Sequence, residues 1–162
     1  MLALALLGVV GTAGVIAVQP DTGQSALAAV RQATARYHDV RAAEAAGYVS
    51  TVECVALPDG SGGMGIHYVN FGLIDGMLRA DEPEILVYEP SGRGLRLVAV
   101  EYFIPAEATS VHPELFGQPF DGPMPGHGPG QPVHYDLHAW VWKPNPHGMF
   151  AEWNPNVSCP QH

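Results

Sequence analysis

From Gln24 to Gly47 the apolar positions return every three or four residues, at Leu27, Val30, Tyr37 and Val40, with Thr34 on the same stripe. The stretch is rich in alanine and free of proline, so this spacing predicts one amphipathic helix that stops at Gly47. Arg36, Asp39, Arg41 and Glu44 give it a solvated face, with His38 beside them as a solvated or capping residue. After Tyr48 the period shortens. Short apolar runs broken by Gly and Pro predict strands at Val49–Ala56, Gly65–Asn70, Ile85–Glu89, Leu95–Ile104 and Val133–Lys143. Pro90-Ser91-Gly92-Arg93-Gly94 joins two of these runs and reads as the turn of an antiparallel hairpin.

No strand–helix–strand alternation follows, which disfavours a parallel sheet. The expected fold class is therefore α+β: one N-terminal helix packed on a curled antiparallel β-sheet or small barrel, with long Pro/Gly-rich loops. From Pro105 to Pro132 the chain shows no strand or helix pattern. A segment of that length in one domain reads as a lid or binding loop, held in order by its prolines and by Phe116 and Phe120.

In the last strand, alternation places His134, Asp136, His138, Trp140 and Trp142 on one face, and Val133, Tyr135, Leu137, Ala139 and Val141 on the other. The second face is the aliphatic one. A face with two imidazoles and a carboxylate meets either solvent or an interior cavity. Two earlier strands bury polar groups in apolar text: His67 in GMGIHYVN and Glu101 in LVAVEYFI. A carboxylate there is costly unless paired, protonated or bound to a metal. If the sheet brings these strands together, His67, Glu101, His134 and His138 form a ligand set for zinc, copper, iron or manganese. Asp136 can join them or fix a histidine tautomer. His134 and His138 stand about 13 Å apart on an extended strand, so one ion takes both only across a bend; His67, Glu101 and one of the two avoid that difficulty. Structural hydrogen bonding, with Glu101 paired to Arg96 or a histidine, is the competing reading. His127, in the presumed lid, is either solvated or a proton carrier; His112 and His147 read as turn residues.

The chain of 162 residues is the size of one domain, and 47% of it is hydrophobic, which excludes disorder as the default. Its formal charge of −9 repels phosphate, so neither nucleic acid nor an anionic lipid surface is an expected partner. Met1 to Gln19 carries no charge and resembles the apolar core of a secretory signal, without the usual basic start. At roughly 17–18 apolar residues it is also just long enough for an uncleaved membrane anchor. We therefore set 1–19 apart from a single α+β domain at 20–162. In an exported chain, distant Cys54 and Cys159 are expected to form a disulfide; they lack the close spacing of paired zinc ligands. A nucleophile elbow and a phosphate loop are both absent from the Gly-rich turn at Asp59–Gly63.

The stretches GMGIHYVN, VEYF, GQPFDGPMPGH, HYDLHAWVW and WNPNVSC, with ARYHDVRAAEAAGY in the helix, resemble a group of exported bacterial proteins of unassigned function. The resemblance runs from about Tyr37 to Cys159 and implies export and a single domain, but no reaction. The ligand types alone are similar to those of cupins, whose glycine-spaced paired motifs are missing here. Taken together, the sequence points to a secreted or extracytoplasmic protein whose His/Glu-lined cavity binds a divalent transition metal or a small ligand. If it is catalytic, Glu101 or His127 handles protons. The alternative is a non-enzymatic domain of the cell envelope that holds a small apolar ligand or serves a structural role.

Overall fold

The computed structural model describes residues 22–51, 53–92, 94–128 and 130–160; the 1–19 segment lies outside them. The helical region is not one rod. It comprises α1 (Thr22–Thr34), a 3₁₀ turn over Ala35–His38, and α2 (Val40–Ala45). Asp39 makes the break. Its backbone is extended (φ −88°, ψ 107°) and its carboxylate accepts from the Arg41 N–H, so it caps a new helix. Leu27, Val30, Tyr37 and Ala43 are buried from this region, and Gly47 ends it at φ +95°. Among the described residues, no helix is long and apolar enough to cross a membrane.

The strands are β1 (Val49–Ser50), β2 (Val55–Ala56), β3 (Gly63–Val69), β4 (Ile85–Ser91), β5 (Gly94–Pro105), β6 (Glu114–Leu115), β7 (Gln118–Pro119), β8 (Asp121–Met124) and β9 (His134–Ala139). A seven-stranded antiparallel sheet runs in the order β1-β3-β4-β5-β9-β8, with β2 also pairing β3. The expected α+β class stands, but the sheet does not close into a barrel. Short β1 and β2 lie at one edge and β8 at the other, with no pairing between them. The expected first strand is interrupted: β1 and β2 pair separate parts of β3, with Cys54 between them. The long segment after Pro105 is structured too, with a small β6–β7 hairpin and β8 on the sheet edge. Phe120 is buried within it.

Each sheet face has its own apolar cluster. On one, Tyr68, Leu86, Tyr88, Val100, Tyr102 and Leu137 share a core with the helical Leu27 and Val30, and the Tyr88 hydroxyl donates to the Tyr37 carbonyl at 2.6 Å. Burying side chains of this size contributes roughly 1.5–3 kcal/mol each, so this face holds most of the core. The other face carries Val69, Ile85, Val87, Phe103, Trp140 and, from the C-terminal tail, Val157. The tail is strapped down by paired backbone hydrogen bonds between Gly63 and Asn154, both 3.1 Å, and by the Cys54–Cys159 disulfide, whose Cα atoms are 5.5 Å apart. At Gly63 a Cβ would come within 3.1 Å of the Val157 carbonyl, so a larger residue there would push the strap out by a few tenths of an ångström.

β9 is shorter than expected. It ends at Ala139, because the Trp142 and Lys143 N–H groups turn to the Val98 carbonyl (3.2 and 3.1 Å). Trp142 therefore does not share the histidine face. Its indole N–H donates to Thr34 Oγ1 on the helical side at 3.1 Å.

Candidate metal centre

Glu101 owes its position to one irregularity. Val87 of β4 pairs Ala99 of β5, yet the next residue, Tyr88, pairs Leu97. Val98 is thus an extra residue on β5, a β-bulge that reverses the alternation beyond it. Leu97 faces the helical core, and so do Val100 and Tyr102, three and five residues on. Without the bulge Glu101 would share Leu97's face. With it, Glu101 looks out on the opposite face, between Ala99 and Phe103.

Antiparallel register completes the group. Glu101 lies directly opposite His138 on β9, while on β3 His67 pairs Val87, one strand beyond β5. Gly65 (φ +108°) assists, since a Cβ there would stand 2.3 Å from the Tyr88 carbonyl; its absence lets β3 approach β4 just before His67. His67 Nε2 is 3.2 Å and His138 Nε2 3.4 Å from the same oxygen, Glu101 Oε2. All three ligand atoms lie within 4.8 Å of one another. The side chains are 12%, 7% and 2% exposed for His67, Glu101 and His138.

The polar atoms at the centre are not satisfied within the protein. Glu101 Oε2 and His138 Nε2 are buried without a hydrogen-bond partner of acceptable geometry, despite the short separation between them. Buried polar atoms are nearly always paired, and leaving one unpaired costs about 1–3 kcal/mol. Burial opposes ionisation of Glu101, but the neighbouring imidazoles of His138 and His67 outweigh it and hold the carboxyl below its ordinary range. Burial lowers the His138 pKa, which favours the neutral ring. A metal ion requires an anionic carboxylate and neutral imidazoles of such ligands.

The separations also fit an ion. Donors about 2.0–2.1 Å from a tetrahedral metal stand roughly 3.3–3.4 Å from one another. Two of the three edges, 3.2 and 3.4 Å, are on this scale, and the third is no longer than 4.8 Å. Trp140 stacks on His138 at 6.3 Å between ring centres and donates its indole N–H to the Ala151 carbonyl at 2.6 Å, tying the ligand ring to the tail.

Of the four expected ligands, the structure brings His67, Glu101 and His138 together and leaves His134 apart. His134 is stacked on Phe103 at 4.5 Å; its Nδ1 lies 3.0 Å from the Pro132 carbonyl and its Nε2 3.6 Å from Asp136. Burial first, and then the charges of Glu101 and Asp121, push the Asp136 carboxyl well above its usual range. His127 is exposed and lies against His134, with ring centres 5.1 Å apart. Of the competing reading, Glu101 is not paired with Arg96, which binds the buried Glu89 together with Lys143, but it is paired with a histidine, His67. Glu84 is a buried acid that the sequence reading passed over; its carboxylate accepts from the Phe103 N–H at 3.2 Å. Glu101 stands inside an apolar run, whereas Glu84 follows Asp81-Glu82-Pro83 at the edge of one, so its burial carries no such mark in the sequence. No family model, curated protein or solved structure matches this chain.

Proposed function

We propose that this protein binds a divalent transition metal through His67 Nε2, Glu101 Oε2 and His138 Nε2, in an oxidising compartment outside the cytoplasm. The observation that carries the reading is the convergence of three donor atoms of which two, both buried, have no hydrogen-bond partner. A metal would satisfy both. Two imidazoles and a carboxylate suit zinc, iron, copper or manganese and leave further coordination positions for water or a small substrate. Held there, the ion would supply Lewis-acid or redox chemistry.

The Cys54–Cys159 disulfide supports an oxidising setting, since such bonds are uncommon where thiols are kept reduced. The charge-free apolar stretch Met1–Gln19 and the resemblance to exported bacterial proteins agree with export.

The test is metal analysis of untagged protein after dialysis against zinc, manganese, iron and copper in turn, with His67→Ala and Glu101→Gln alongside. We expect one ion per chain in the wild type and loss of it in both variants. No stoichiometric metal under any loading would overturn the reading, and full retention in both variants would overturn the choice of ligands.

A further inference from the structure

The three-donor group lies beneath the surface, with the Glu101 and His138 side chains only 7% and 2% exposed. A hydrated cation must shed water to arrive there, so the side chains along its approach matter. On the same sheet face, beyond Phe103, a second pair of imidazoles leads outward. His134 is almost fully buried and stacks on Phe103, which follows Glu101 by two residues on β5. Above it His127 stands in solvent on the β8–β9 connection, its ring edge-on to that of His134. Neither ring is used by the group proposed above.

The donor chemistry is suitable. If His134 Nδ1 carries the ring proton and donates it to the Pro132 carbonyl, Nε2 is left with its lone pair, on the side of Asp136 Oδ2. His127 is held through its backbone, whose N–H donates to Gln131 Oε1 at 2.8 Å, while the residue is exposed. A borderline cation is thus offered an exposed nitrogen, then a buried nitrogen beside a carboxyl group, and then the inner ligands. His134 is near enough to bear electrostatically on Glu101, and His127 on His138.

Resting on the metal reading above, we propose that His127 and His134 form an outer station through which transition-metal cations pass between solvent and the His67–Glu101–His138 group. A station of this kind changes the rate of exchange in both directions and leaves the final affinity in place.

The experiment follows zinc loading of the full chain by stopped flow, and zinc release to a fluorescent chelator, for wild type, His127→Gln, His134→Gln and, as a remote exposed control, His147→Gln. In His127→Gln we expect loading and release to slow together by about tenfold, the scale of one lost contact in a barrier. Stoichiometry and equilibrium affinity should stay at wild-type values, and His147→Gln should behave as wild type. Because His134 is packed in the interior, the exposed His127 variant decides the matter should His134→Gln fail to fold. Unchanged rates in His127→Gln overturn the station while the inner site stands. A loss of affinity at unchanged loading rate makes His127 a ligand and equally overturns it. Failure of the wild type to take up zinc, manganese, iron or copper removes the inner site and the station with it.

Discussion

Glu101 and His138 face each other across β5 and β9, with Oε2 and Nε2 3.4 Å apart and neither atom hydrogen-bonded. Burial disfavours the Glu101 charge, but in the metal-free protein the imidazoles of His138 and His67 outweigh it. Glu101→Gln removes the charge and adds an amide that can donate to His138 Nε2. Because the fold favours the ionised carboxylate, the metal-free variant should be less stable than wild type at neutral pH, by about 1–3 kcal/mol in urea unfolding. It should also lose the rise in unfolding temperature that bound metal confers on the wild type. A variant as stable as metal-free wild type, or one that still gains from metal, would contradict the assignment.

The bulge at Val98 makes a second prediction. Deleting Val98 removes the extra residue, so Leu97 and Ala99 follow in simple alternation and Glu101 keeps its place on the face of Ala99 and Phe103. It also removes the carbonyl that receives the Trp142 and Lys143 N–H groups. Loss of that acceptor should lower stability by about 1–3 kcal/mol, with metal binding kept. Metal content and denaturant unfolding of the deletion variant check this. Loss of metal would mean that Glu101 does not hold its face once the extra residue is gone, and unchanged stability would mean that the Val98 carbonyl is not a needed acceptor.

What could be read in advance follows from the same residue. His67 and Glu101 were legible as polar interruptions of apolar runs, and His134, Asp136 and His138 as one face of a strand, because alternation is a strong signal when the two faces differ. The bulge was not legible. Leu97, Val98, Ala99 and Val100 are all apolar, so the text carries no mark where the phase shifts. The helix break was hidden differently, because Asp39 reads equally well as a solvated helical residue or as a cap. Trp142 continued the periodicity of β9, while in the fold a competing acceptor, the Val98 carbonyl, draws the backbone off the strand. The separation of His134 from His138 was readable, since four residues of extended strand hold them too far apart for one ion.

The disulfide bears on the site through the tail. Cys159 anchors the segment in which Asn154 pairs with Gly63 and Val157 fills the outer cluster. The cysteines are 105 residues apart, and closing a loop of this size stabilises by up to about 4–5 kcal/mol in the chain-entropy model. Reduction, or Cys54→Ser with Cys159→Ser, should lower stability towards that limit. Release of the tail should also free Trp140 from the Ala151 carbonyl and speed metal dissociation, because Trp140 backs the His138 ring. Tryptophan fluorescence and chelator-driven release read the two effects. If both are unchanged after complete reduction, the strap does not support the site.

Glu84 sets a pH dependence separate from the metal group. Burial raises its carboxyl pKa from 4.5 to about 7, against the lowering effect of hydrogen bonds that include the Phe103 N–H. The nearby Asp75 and Arg79 act in opposite directions and are secondary. Because the pKa is higher in the fold, the folded state holds this proton more tightly than the unfolded chain. Its contribution is complete below pH 4.5 and is lost as pH rises to about 7, by about 3 kcal/mol in all. Above that pH both states are ionised and the contribution no longer changes. Glu84→Gln keeps an oxygen for the Phe103 N–H but cannot ionise. It should match the wild type at about pH 4 and exceed its stability by up to about 3 kcal/mol at about pH 8. Comparing the two proteins by urea unfolding at both pH values cancels every other titrating group. A difference that is the same at both would mean that Glu84 ionises in the fold as it does in the unfolded chain.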